Sequence, residues 1–245
     1  MDAKVIKYNL KKFGRQVWEL FKISIPSTFM FFCAGTILMM LTLQGETIDW
    51  TSKDVLWTVV CIIGGSAYSA LLAWANGGSQ YEMLVSGNMK RMSADALDGG
   101  FKMSSHKEAK EYRIWKGFAI GAFTAIFTLI IGILFGVFQA RIDSETPGKG
   151  VAVLVLVGFL TSGWSVIPMY IMNKTGMAIS YYVSCVFALI PIVVAGGFYI
   201  AGAYARRAKR LREQLIAEQA AKAEEAKVKK INYGGLPGTK PKKRK

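Results

Sequence analysis

Histidine occurs once, at position 106, and cysteine three times, at positions 33, 61 and 185. One imidazole with no cysteine ligand nearby makes no structural zinc set. In MSSHKEAKEYRIWKG, His106 instead reads as part of a helix start, with Ser104 or Ser105 as cap and Glu108 as capping-box partner. The three cysteines all lie in apolar runs, where they serve as small hydrophobes and suggest no disulfide framework. Phosphate-loop, GxGxxG, HExxH and GxSxG patterns are absent as well, which leaves hydrolysis and nucleotide use without motif support. These gaps predict a protein that is not an enzyme and holds no cofactor or metal.

Charge is the other scarcity. Aspartate and glutamate number 16 against 31 lysines and arginines, and no charged residue of either sign interrupts Ile23–Thr42, Val55–Gly77, Gly117–Ala140, Val151–Asn173 or Thr175–Ala205 except at their edges. Each run is long enough for a helix to cross a hydrocarbon core of about 30 Å. A chain of 245 residues cannot wrap that many apolar helices in its own protein. The expected fold is all-α, a polytopic transmembrane helical bundle bound to the lipid bilayer. The absence of an ionisable group at the centre of any run argues against proton-driven transport.

Lysine and arginine then set the topology. The lead, residues 1–22, carries Lys4, Lys7, Lys11, Lys12, Arg15 and Lys22 and reads as a basic amphipathic helix lying in the interface. The first loop is net acidic. Segment 78–116 is basic and the loop 141–150 is balanced. Lead inside, first loop outside, second segment inside and third loop outside follow in order. Five spans would then put the tail outside, although Arg206, Arg207, Lys209, Arg210 and Arg212 stand directly after the last run. Four crossings remove the conflict by placing lead, segment 78–116 and the tail 206–245 all in the cytoplasm.

One run must then enter and leave on the same face. VAVLVLVGFLTSGWSVIPMYIMN, residues 151–173, divides at TSGWS and contains Pro168, so it reads as a re-entrant hairpin opening on the outside. The alternative is a fifth span kinked at Pro168. In the hairpin reading, Thr161, Ser162, Gly163, Trp164 and Ser165 form the tip and are candidates for lining a half-membrane cavity, with Trp164 controlling access.

In lipid, helices associate through close backbone approach. The candidates for that packing are Gly64, Gly65, Gly132, Gly136, Gly196 and Gly197 within bundle 23–205. Beyond residue 205 the tail is expected to continue as a helix and then become extended through Gly234, Gly235 and Pro237 to PKKRK. Its basic residues, Arg206 to Arg212 foremost, are candidate contacts for anionic lipid, a partner subunit or the ribosome. Two functions are expected from this pattern. One is a non-enzymatic subunit or scaffold of a membrane complex that associates with other subunits or with itself. The other is a small passive channel, insertase-like or lipid-handling protein working through residues 161–165.

Overall fold

The computed structural model describes residues 3–42, 51–85, 112–144 and 148–233. His106, most of the segment 78–116 and the extended end of the tail lie outside the described residues. Among the described residues the helices are α1 (Ala3–Thr42), α2 (Ser52–Val85), α3 (Ile114–Val137), α4 (Gln139–Ile142), α5 (Lys149–Lys174), α6 (Ser184–Phe187) and α7 (Leu189–Tyr233), with a 3-10 turn at Tyr181–Val183. Among the described residues, five stretches are long and apolar enough to cross a membrane: Phe13–Thr42, Ser52–Val85, Ile114–Val137, Lys149–Lys174 and Tyr181–Ala226. The chain is an all-helical polytopic membrane bundle. It divides into two compact units, Met1–Ala203 and Tyr204–Lys245.

The lead was expected as a separate interfacial element, but it is the first part of α1, which runs unbroken for 40 residues with Pro26 inside it. Nothing in the sequence around Lys22 stops a helix, and Ile6, Leu10, Phe13 and Trp18 on this part are exposed. The last run is irregular where it begins. Pro191 cannot donate to the carbonyl of Phe187, and the helix pauses at Ala188 between α6 and α7. In the second unit the helix continues to Tyr233, and residues 211–226 are exposed throughout.

The packing of α5 shows a sharp reversal at Ser162. Phe159 and Tyr170 stand eleven positions apart, which in a straight helix means about 16 Å of rise, yet their ring centroids are 5.0 Å apart. Both ends of α5 also return to the same end of the bundle. Lys149, Gly150 and Val151 share a hollow with Leu134, Phe138 and Arg141, while Lys174 Nζ donates to the Asp143 carbonyl at 3.1 Å. The helix bends back at Ser162, whose φ of −136° and ψ of 19° are the non-helical values inside it. The two arms of α5 therefore lie back to back about Ser162, the geometry expected of a re-entrant hairpin. One kinked residue redirects the whole second arm.

Close backbone contact makes that turn possible. A methyl group on Gly163 would lie 2.9 Å from the Gly35 carbonyl oxygen, and one on Gly35 would lie 2.9 Å from the Gly163 nitrogen. Similar approaches join Gly77 and Gly117 to Tyr199, Gly121 to Pro191 and Ile192, and Gly202 to Trp74. Among the glycines picked out by spacing, Gly65 meets Phe31, Gly132 meets Ser184 and Cys185, Gly136 meets Tyr182, and Gly196 meets Phe118. Gly64 and Gly197 meet nothing within 4 Å, so these two are corrected to positions outside the contacts.

Substitution of Gly163 or Gly35 by valine is expected to destabilise the bundle by about 1–3 kcal/mol through overpacking. Ala at Gly64 or Gly197 should be neutral or stabilising by up to ~1 kcal/mol, from helix propensity. Thermal unfolding in detergent separates the two sets, and equal shifts would mean that the tip does not pack on α1.

Candidate functional site

The hairpin divides the bundle into two chemically different halves. At the end where it opens, Phe31, Leu38, Phe135, Phe159, Trp164, Ile167 and Tyr181 belong to one apolar cluster. Trp164 lies 4.8 Å from Phe31 and 6.5 Å from Phe187, measured between ring centroids. Residues 162–169, the tip and most of the second arm, are all buried, whereas Val153, Leu156 and Val157 on the first arm are exposed, as lipid-facing side chains would be.

The tip does not line an open cavity, which corrects that expectation. Ser162 and Ser165 are fully buried and Trp164 is 1% exposed. Thr161 is spent on its own helix, donating to the Val157 carbonyl at 2.8 Å. Ser165 donates to the Ser162 carbonyl at 2.9 Å, giving the interrupted ladder a replacement bond. The cause is the Gly35–Gly163 contact, which brings the backbone of α1 into the space a cavity would need.

An open polar space lies instead toward the opposite end. A recess of about 230 Å³ is lined by Glu19, Leu20, Ile23, Asn76, Ser79, Gln80 and Met83. Its walls follow from helical spacing. On α2, positions 66, 69, 73, 76, 80 and 83 share one face, so Ser66, Ser69, Asn76 and Gln80 form a polar stripe broken by Ala73 and ended by Met83. On α1, Gln16, Ser24 and Ser27 are buried along the face that carries Leu20 and, further on, Phe31. Gln80 Oε1 accepts from the Tyr199 hydroxyl at 2.6 Å, and Tyr199 is stacked on Tyr112 at 5.2 Å.

The stripe ends beside the tip. Gly65 packs on Phe31, which packs on Trp164, and the hydroxyls of Ser66 and Ser69 follow within about one helical turn. Ser66 Oγ, Ser69 Oγ, Ser162 Oγ and Trp164 Nε1 are all buried without a hydrogen-bond partner. A polar group left unpaired in an apolar setting costs about 1–3 kcal/mol, so each of these four is suited to a further polar contact.

The hairpin is fastened at its mouth by a cluster that sequence reading missed. Tyr181 donates to Asp143 Oδ1 at 2.9 Å, the Asp143 carbonyl accepts from Lys174, and Asn173 Oδ1 accepts from the Ile179 amide at 2.6 Å. Gln139 Nε2 donates to the Ile179 carbonyl at 3.2 Å. Asp143 and Tyr181 are 38 positions apart, and no spacing rule joins them. In the second unit, Arg207, Lys209 and Arg212 are exposed and Arg206 and Arg210 half-exposed, with Lys209 Nζ 4.0 Å from Glu213. Among the described residues, no group of three or more histidine, cysteine or carboxylate side chains is placed to hold a metal ion.

No protein-family model, curated protein or solved structure matches this chain.

Replacing Asp143 by Asn or Tyr181 by Phe should cost about 1.5–3 kcal/mol, the range for hydrogen bonds to a charged group. Tyr204→Phe, at an exposed position, should change nothing. A melting series in detergent checks this, and a Tyr181→Phe protein as stable as wild type would remove the cluster from the account.

Proposed function

We propose that this is a non-enzymatic membrane protein that acts as a subunit of a membrane complex and holds the polar part of a partner's transmembrane segment in its recess. The observation that carries the reading is the polar stripe Ser66, Ser69, Asn76 and Gln80, which ends at the orphaned hydroxyls beside a hairpin that closes the other half. Such a recess is wasteful in a purely structural bundle, because hydroxyls and amides facing lipid gain nothing. It suits a guest that brings hydrogen-bonding groups into the membrane. If the guest stays, the protein is a subunit; if it passes on, the role is insertase-like. A passive channel finds less support, since the aromatic cluster around Trp164 fills the half beyond the recess.

The recess end is proposed to face the cytoplasm. The basic lead leads into Glu19 and Leu20 there, and Tyr199 and Gly202 of α7 lie at the same level shortly before Arg206 in sequence. With the hairpin inside the membrane, the chain crosses four times and both termini share that side, in agreement with the positive-inside preference.

Single cysteines at Asn76 and Gln80, in a protein with Cys33, Cys61 and Cys185 replaced, should react with an impermeant thiol reagent added from the cytoplasmic face. A cysteine at Leu71, which is 67% exposed on the lipid side, should not. Photo-crosslinkers at Ser79 should then join a membrane-spanning partner in native membranes, and Asn76→Leu with Gln80→Leu should weaken that product severalfold. Labelling from the opposite face would reverse the orientation. Recess cysteines as unreactive as the one at Leu71 would sink the reading.

A further inference from the structure

Basic residues at the hairpin end of the bundle run against the charge bias of the chain. Four are described there: Lys53, Arg141, Lys149 and Lys174. Lys174 is engaged with the Asp143 carbonyl and lies 5.7 Å from the Tyr170 ring centroid. Arg141 and Lys149 make no ion pair among the described residues, and both border the same hollow, of about 470 Å³. The Arg141 guanidinium lies 5.9 Å from the Phe138 ring centroid, at the edge of this space. The remaining wall is apolar, formed by Leu134, Phe138, Val151 and Leu154 between α3 and the first arm of α5. The arm begins there at Gly148, which supplies no side-chain cap to its first turn, and no atom would obstruct a methyl group at Gly148 or Gly150.

Two cations that pair with no described residue border an apolar slot at the end of α3 and the start of α5, and such a pairing of charge and apolar wall matches one chemistry. We propose that this hollow binds an anionic phospholipid, with its phosphate between Arg141 and Lys149 and an acyl chain along Leu134, Phe138, Val151 and Leu154. Charge complementarity selects the headgroup, because a zwitterionic lipid brings its own cation to the same place. The uncapped first turn adds a weaker preference for negative charge. The lipid fills the gap between α3 and the arm of the hairpin that the rest of the bundle leaves facing the bilayer. The inference depends on the hairpin fold and not on what occupies the recess.

The test is native mass spectrometry of the full-length protein in mild detergent, titrated with phosphatidylglycerol or with phosphatidylcholine of the same acyl chains. Wild type should hold its first phosphatidylglycerol about tenfold more tightly than phosphatidylcholine, on the scale of two basic residues near a phosphate. Arg141→Gln with Lys149→Gln should abolish that preference, and Arg141→Lys with Lys149→Arg should keep it. Arg207→Gln with Lys209→Gln should leave the first binding event unchanged, which separates this site from the tail. An unaltered melting temperature before lipid is added shows that each variant is folded. Equal affinity for the two lipids, an undiminished preference in the glutamine pair, or its loss in the tail pair would each overturn the proposal.

Discussion

A chain that reverses direction within a bilayer must find hydrogen-bond partners for the backbone it takes out of helical register, because hydrocarbon offers none. The rest of this bundle depends on how that requirement is met at Ser162. The reversal occurs where Gly35 and Gly163 allow α1 and α5 to touch backbone to backbone. Residues 162–169 are buried in protein, and Ser165 donates to the carbonyl of Ser162. With a larger residue on either side of that contact, the tip would be pushed away from α1 and the freed backbone would meet lipid. Trp164, held between Phe31 and Phe187, then caps the apolar half.

The same turn creates the functional asymmetry. Because the hairpin fills only one half of the bundle, the other half is left to α1, α2, α3 and α7, and the polar faces of α1 and α2 have no fifth helix to satisfy them. The cluster on Asp143 fastens the C-terminal end of the hairpin to the end of α4 without crossing the bundle, so the recess is not closed from that direction. Charge follows the same division. The basic lead runs into Glu19 and Leu20 of the recess, and two of the basic residues at the hairpin end border a single hollow.

Much of this was legible because it rests on one-dimensional patterns. Five uncharged runs point to the membrane bundle, and the conflict between hydropathy and Arg206–Arg212 directs attention to residues 151–173, as a re-entrant hairpin or a kinked span. TSGWS marked the tip because small and polar residues interrupt an apolar run there. What stayed hidden depends on which face each residue takes. Adjacent glycines such as Gly64 and Gly65, or Gly196 and Gly197, point about 100° apart on a helix, so only one of each pair reaches a neighbour. Gly35 has no small residue four positions away to announce it, yet its contact is the one the tip requires. The recess was missed because Glu19, Asn76, Ser79 and Gln80 fall at the ends of runs, where polar residues are ordinary. The tip residues, expected to line a cavity, are buried instead, since the burial of a hydroxyl depends on its neighbours and not on its own polarity.

The course of α5 is the central claim, and a distance within that helix tests it most directly. Spin labels at Gly150 and Thr175, read by pulsed electron paramagnetic resonance in lipid nanodiscs, report the separation of its two ends. A straight or mildly kinked span would hold them about 37 Å apart at 1.5 Å per residue. The hairpin predicts a separation well below that, nearer the ~10 Å spacing of packed helices extended by the label arms. A distribution centred near the straight-helix value would contradict the account.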